Sequence, residues 1–278
     1  MQETADLADE ADFRGVPQRN PCKSASSAKS AVIYPPMPTN LFLVRHGENY
    51  ANLTKEFSHR RVDYALTPKG RVQAAQTGDY FRSKPIAAVY ASPLRRARET
   101  ADAIAAVCGL DVVIVENFRE INVGVLEDQP PTPENWTLHN AILHGWRNGE
   151  PERLFPGGEN LPMLWQRVSA GYAQVVQTHP GEDIVIVGHG GVIAMTTGLL
   201  CPEADMATVL RQENFNCAVT HVRATMGDSG PVGQLVRYGA WEHLHGEADE
   251  IVSSIPDAAF WRAQAAGDHQ CSLPARLL

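Results

Sequence analysis

The chain has 278 residues, 44% hydrophobic and 20% charged, with 22 glycines and 19 prolines. That length suits a large globular fold with a well-buried core. Its formal charge of −8 argues against a general nucleic-acid or membrane-surface binder, which needs a basic excess, and no run approaches the roughly 18 apolar residues of a membrane span.

The first segment, residues 1–38, reads as a poorly ordered tail. It carries acidic MQETADLADEADF, Ser-rich SASSAKS and Pro-rich YPPMP, with no apolar period. Without an apolar signal core it predicts a cytoplasmic protein. The five cysteines, Cys22, Cys108, Cys201, Cys217 and Cys271, have no CxxC spacing and fit reduced, structural thiols.

Folded structure begins at LFLV (41–44), a buried-strand run. A helix is expected over about 68–82, capped by Thr67 with Pro68 first, and with Val72, Ala75 and Phe81 turned inward. AAVYA (87–91) is the next strand, and Ser92-Pro93 opens a second helix by the same capping logic. Its apolar stripe is Leu94, Ala97, Ala101 and Ile104, and Gly109 ends it. VVIV (112–115) is a third strand. Residues 121–158, rich in Pro, Gly, Asn and Trp, read as a long excursion over the sheet that shapes a binding site. An amphipathic helix follows over about 160–178, then the buried strand DIVIV (183–187), broken into a helix at Gly188-His189-Gly190-Gly191. Two strands near 217–222 and 233–238 and a short helix after Asp257 complete the order. Alternating strands and helices predict an α/β fold with a mainly parallel sheet covered on both faces. One domain over 39–278 accounts for it.

Polar residues gather at three strand-to-helix junctions: Arg45-His46-Gly47-Glu48, Ser92-Pro93-Leu94-Arg95-Arg96 and Gly188-His189-Gly190. In a parallel sheet these lie at the carboxyl edge, where ligands of open α/β sheets bind. Histidines, arginines and helix amino-termini converging there suit a phosphate group. A neutral imidazole can attack phosphorus directly and form a phosphohistidine. The leaving oxygen then needs a proton, and the later water a base. A carboxylic acid of raised pKa serves both. Glu120, opening the excursion, is the best-placed candidate, whereas Glu48 is nearer His46 but suited to capping or orienting its loop.

In this order, LFLVRHGEN, LTPKGRVQA, ASPLRRARETA, REINVGVLED, FPGGEN and VGHGGVI resemble the histidine phosphatase superfamily, more narrowly its phosphoglycerate mutase-like branch. The resemblance covers about residues 40–225. It implies a three-layer sandwich around a mixed, mostly parallel sheet, and chemistry that needs no metal or cofactor. By position, His46 matches the nucleophile, Arg45 stands beside it, and Arg96 rather than Arg95 is the phosphate-binding arginine. Glu120 matches the proton donor, His189 the second histidine, and Asn52 a phosphate-contacting asparagine. Asn49 stands where Thr or Ser is usual, and Ala194 where an arginine often follows. Ile121 to Asp128 departs from the Arg-His-Tyr-Gly-type stretch of the true mutases and is closer to the phosphatases. The expectation is therefore a phosphomonoesterase acting on a small phosphorylated metabolite, the alternative being phosphoglycerate mutase-type transfer between hydroxyls.

Other polar residues carry simpler readings. Arg95 and Arg98 are solvated helix charges, and Thr100 is a packing residue. His243 and His245 resemble a metal pair but read as an ordinary polar loop. Trp136, His139, His144 and Trp146 either recognise substrate or hold the excursion down.

Overall fold

The computed structural model describes residues 37–265 except 210, 213, 251, 252 and 254. The expected tail therefore lies, but for its last two residues, outside the described residues, as do Cys22 and Cys271.

Six strands form one mixed sheet: β1 (Thr39–Arg45), β2 (Ile86–Ala91), β3 (Val112–Ile114), β4 (Asp183–Gly188), β5 (Val219–Gly227) and β6 (Gly230–Ala240), in the order β3-β2-β4-β1-β5-β6. The first four in that order run parallel, and the hairpin β5-β6 joins β1 antiparallel. Period-two alternation sorts the core onto two faces. Phe42, Val44, Val185 and Val187 pack with Phe81, Ala97, Ala101 and Ile104 of helices α2 (Pro68–Phe81) and α3 (Arg95–Cys108). Leu41, Leu43, Ile184 and Ile186 pack instead with Leu164, Val168, Tyr172 and Ile193 of α5 (Leu161–Thr178) and α6 (Gly190–Leu200). Helices thus cover both faces, giving the expected three layers. Among the described residues, no helix is long and apolar enough to cross a membrane.

Helix α2 presents a different face from the one expected. Val72 is 46% exposed and Ala75 is also exposed, while Gly70, Gln73, Ala74, Thr77, Gly78 and Phe81 are buried. Close approach selects small residues over apolar ones: a Cβ on Gly78 would lie 2.8 Å from the Ala103 carbonyl oxygen of α3. Ser92 does not cap α3 either. Leu94 occupies that position without a side-chain cap, while the Ser92 hydroxyl meets His189 at 2.7 Å and accepts the Leu94 N–H at 3.4 Å.

Three helices were not read from the sequence, those over Tyr50–Thr54, Pro133–Arg147 and Met206–Val209. α1 (Tyr50–Thr54) is one turn closed by a reciprocal cap between Asn49 and Asn52. Within the excursion, α4 (Pro133–Arg147) starts on Thr132, whose hydroxyl accepts from the Asn135 N–H, with Pro133 in its first turn. α7 (Met206–Val209) and α8 (Ala258–Ala265) complete the set.

Candidate active site

Strand register builds the site. Arg45 of β1 pairs with Gly188 of β4, and Val187 pairs with both Val44 and Ala91 of β2. The carboxyl ends of three parallel strands therefore finish level, and His46, Ser92 and His189 are the residues that follow them. Two backbone bonds fix the step past the edge, His46 N–H to Gly188 at 3.0 Å and Ser92 N–H to Val187 at 2.9 Å.

Close packing holds the His46 loop. A Cβ on Gly47 would meet the Gly70 carbonyl oxygen at 2.6 Å, and one on Gly70 would meet the Glu48 carbonyl oxygen at 2.0 Å. Thr100 is more than packing: its hydroxyl accepts the Gly47 N–H at 3.0 Å and donates to the Arg96 carbonyl at 2.8 Å. Glu48 is turned away from the site, taking the Thr67 hydroxyl at 2.8 Å and lying 3.3 Å from the Lys69 ammonium. It orients the loop.

The His46 ring is 3% exposed. Its Nδ1 lies 2.7 Å from the Gly47 carbonyl oxygen, which only accepts, so Nδ1 carries the proton. Arg96 donates from Nε to His46 Nε2 at 3.1 Å, which places the lone pair there. Burial, then Arg96 and Arg45, hold the His46 pKa well below the usual histidine value. The ring is neutral, with its nucleophilic nitrogen facing a guanidinium.

Arg96 is itself held by Ser58, whose hydroxyl and carbonyl accept from its two Nη groups at 2.7 and 3.0 Å. Arg45 reaches across to donate to the Asn214 carbonyl. The His189 ring stands edge-on to His46 with centroids 5.3 Å apart. Its Nε2 meets the Ser92 hydroxyl, and its Nδ1 is buried without a hydrogen-bond partner among the described residues. Burial, followed by Arg96, keeps this ring neutral too. Asn52 turns Oδ1 toward the Asn49 N–H and Asn216 Nδ2, both at 3.1 Å. Asn49 Nδ2 and both polar atoms of the Asn214 carboxamide are buried with no partner among the described residues. Such groups call for an explanation, and a bound polar molecule supplies one.

Glu120 sits opposite, its Oε1 accepting from Ile121 N–H at 2.8 Å and from Val192 N–H, in the first turn of α6, at 3.2 Å. A Cβ on Gly191 would lie 2.8 Å from this oxygen, so the glycine admits the carboxyl. Burial raises the Glu120 pKa, against the opposing pull of the Ile121 N–H and of Arg96 and Arg45. Arg167 positions the segment by donating to the carbonyls of Asn117, Arg119 and Glu120 at 2.9, 2.7 and 3.1 Å, while Glu159 grips its guanidinium at 2.8 and 3.0 Å. The Glu127 carboxylate gathers the N–H groups of His59, Arg60 and Arg61 at 2.7, 2.5 and 2.9 Å, fastening the loop that carries Ser58.

All six expected residues meet here; Arg45, His46, Asn52, Arg96 and Glu120 line one cavity of about 520 Å³, with His189 against His46. Ser58, Thr100, Glu159 and Arg167 were missed as positioning residues; Thr100 and Glu159 lay in the quoted motifs ASPLRRARETA and FPGGEN, Ser58 and Arg167 in none. The roof residues divide. Trp136 and Trp146 donate their indole N–H groups to the carbonyls of Lys55 and Arg153 at 3.0 and 2.7 Å, which makes them fasteners. His139 packs on Phe57 and Trp136 with its pKa driven down to about 4, chiefly by burial. His243 faces the Thr77 hydroxyl at 3.1 Å and the Tyr80 ring. Among the described residues, no group of three or more His, Cys, Asp or Glu is arranged to hold a metal ion.

Comparison with known proteins agrees with this geometry. The family model described as "Histidine phosphatase superfamily (branch 1)" matches residues 41–233. Proteins named "Probable phosphoglycerate mutase GpmB" are similar: that of Salmonella choleraesuis (strain SC-B67) is 33% identical over 189 residues, 66% of this chain and 83% of the relative. That of Erwinia tasmaniensis is 34% identical over 190 residues, with the same shares. Among solved structures, Bacillus stearothermophilus YhfR superposes with a TM-score of 0.62 at 24% identity, covering 74% of this chain and 100% of that one. The phosphoserine phosphatase of Entamoeba histolytica, in complex with 3-phosphoglyceric acid, gives 0.60 at 23% identity with the same coverage. At these identities the two structures speak to the fold.

Proposed function

Because the chain belongs to the histidine phosphatase superfamily, branch 1, we propose that it is a phosphomonoesterase that hydrolyses a small phosphorylated metabolite through a phosphohistidine at His46. One observation carries the reading: His46 is a buried, neutral imidazole whose Nε2 lone pair is aimed at Arg96, with Nδ1 tied to Gly47. Nε2 attacks phosphorus in line, and the P–N bond forms as the P–O bond to the leaving alcohol breaks. Arg45, Arg96, Asn52 and His189 hold the equatorial oxygens. Arg96 Nε, which caps the nucleophile at rest, turns to an oxygen once Nε2 is used. Glu120, whose hold on a proton burial strengthens, gives its proton to the departing oxygen. As a carboxylate it then takes one from the water that cleaves the P–N bond. Positioning and charge neutralisation supply most of the rate.

The GpmB relatives' name keeps a second reading in play, in which phosphohistidine returns its phosphoryl group to another hydroxyl. Against it stands Ile121-Asn122-Val123 after Glu120, where the true mutases are basic. Incubation with 3-phosphoglycerate, followed by phosphorus NMR, separates the two. Inorganic phosphate is the expected product, 2-phosphoglycerate would establish the mutase, and His46→Ala should abolish either.

A further inference from the structure

Helix α1 ends in a way that backbone preference does not explain. It is closed by Lys55 at φ 62°, in the left-handed region that glycine enters freely and a residue with a Cβ does not. Helix α3 ends in the same conformation, but on Gly109, at φ 69°. A residue held against its preferred backbone points to a role for its side chain. A five-residue helix is also far shorter than the roughly 12 residues that stand alone in water, so its end carbonyls need partners.

Lysines are almost always solvated, yet Lys55 is 6% exposed. Its ammonium donates to the carbonyls of Asn52 and Ser253, each at 2.6 Å, and lies 5.7 Å from the centre of the Phe260 ring of α8. Its backbone N–H closes α1 on the Ala51 carbonyl at 2.9 Å, and its own carbonyl receives the Trp136 indole N–H of α4. One residue thus joins three segments far apart in sequence: the turn with Asn52, the roof helix and the stretch 250–265. Each of them lines the cavity, through Asn52, Trp136, and Ser253 with Ile255, whereas Lys55 is not among the described lining residues. Among the described residues of 250–265, the bond from Lys55 to Ser253 is the one hydrogen bond that leaves the segment. An apolar chain of similar length would fill the same space, but it would leave the Asn52 and Ser253 carbonyls without that donor, a costly state for buried groups.

Resting on the phosphoryl-transfer reading, we propose that Lys55 is a positioning residue for the phosphoryl group: by capping α1 and pinning 250–265 beside it, its ammonium holds the Asn52 side chain at the phosphate-binding end of the cavity. Lys55 touches no substrate and acts through Asn52.

Titration calorimetry of the full chain with inorganic phosphate tests this without turnover. Lys55→Met should weaken phosphate binding about tenfold, the loss that follows when a hydrogen bond to a charged group is misplaced. Lys55→Gly separates the side chain from the turn, because glycine suits the left-handed backbone and removes only the ammonium and its stem. It should lose as much as Lys55→Met, while Lys55→Arg, which can still donate to both carbonyls, should keep most of the affinity. A double-mutant cycle reads the coupling to Asn52. Asn52→Ala should weaken phosphate at least as much, and adding Lys55→Met to it should change affinity less than about twofold. Unaltered phosphate affinity in Lys55→Gly, or losses that multiply in the double variant, would overturn the proposal, as would an unmodified protein that takes up no phosphate. Failure of the hydrolase reading looks different: phosphate binds with its dependence on Lys55 intact, yet the unmodified protein releases none from phosphomonoesters.

Discussion

At His46, the proposed nucleophile, the protein arranges an imidazole that needs no partner base. A Gly47 carbonyl fixes the tautomer, Arg96 marks the lone pair, and burial keeps the ring uncharged. Protonation of His46 ends reactivity, and its pKa lies below the ordinary 6.5, so the acid limb of kcat/KM should fall below that pH. Glu120 must be protonated to release the alcohol, and its raised pKa puts the alkaline limb above the usual carboxylate range. Glu120→Gln should lower kcat by about 10²–10⁴-fold and remove the alkaline limb; an unchanged limb would deny Glu120 the role. The same variant should melt at a higher temperature, since it removes a carboxyl whose ionisation burial opposes, while Gln Oε1 can still accept the Ile121 and Val192 N–H groups. Arg45, His46, Glu120 and His189 were legible because each stands at a strand end or in a short, ordered motif. Ser58 and Arg167 were not. The site segments they hold lie 38 to 50 residues away, and nothing local in the sequence signals such a bond.

Helices α2 and α4 show where patterns of hydrophobicity mislead. Period-3.6 reasoning looks for apolar residues, but α2 is pressed so closely on α3 and on the His46 loop that small residues, Gly70, Ala74, Thr77 and Gly78, share its inner face with Gln73 and Phe81. Gly70→Ala should cost about 1–3 kcal/mol or more through overpacking, read as a lower denaturant midpoint, because its methyl would enter the Glu48 carbonyl. A midpoint equal to wild type would mean that the loop yields freely. In α4 the signals of a start, Thr132 and Pro133, were present, but the turn-forming residues around them suggested irregular chain. Its anchorage is Trp136, bonded to Lys55 and stacked on Phe57 at 4.7 Å. Trp136→Phe keeps the ring but removes the donor from a buried carbonyl, and should destabilise by about 1–3 kcal/mol in denaturant unfolding. No change would make the indole N–H dispensable to the roof.

Across the whole molecule, alternation of strand and helix made the parallel half of the sheet legible, and the resemblance supplied the mixed character that the antiparallel hairpin β5-β6 provides. The order of strands was not legible, since β4 inserts between β1 and β2 only through tertiary packing. Burial of histidines also gives the fold a pH signature. His46, His59, His139, His189, His221 and His243 all have pKa values lowered, first by burial, with His139 and His243 at about 4. The unfolded chain therefore binds more protons below pH 6.5, and stability should decline from there as pH falls. Chemical denaturation followed from pH 7 to pH 4 should show that slope, lessened in His139→Phe. A flat profile would mean that these rings are not buried neutral.

The claim on which the account rests is that His46 Nε2 takes the phosphoryl group. Rapid quenching of the enzyme during turnover of a ³²P-labelled phosphomonoester, followed by peptide mapping, tests it directly. The account predicts acid-labile, alkali-stable label confined to the His46 peptide and lost in His46→Ala. Steady hydrolysis with no such label, or label on another residue, would contradict it.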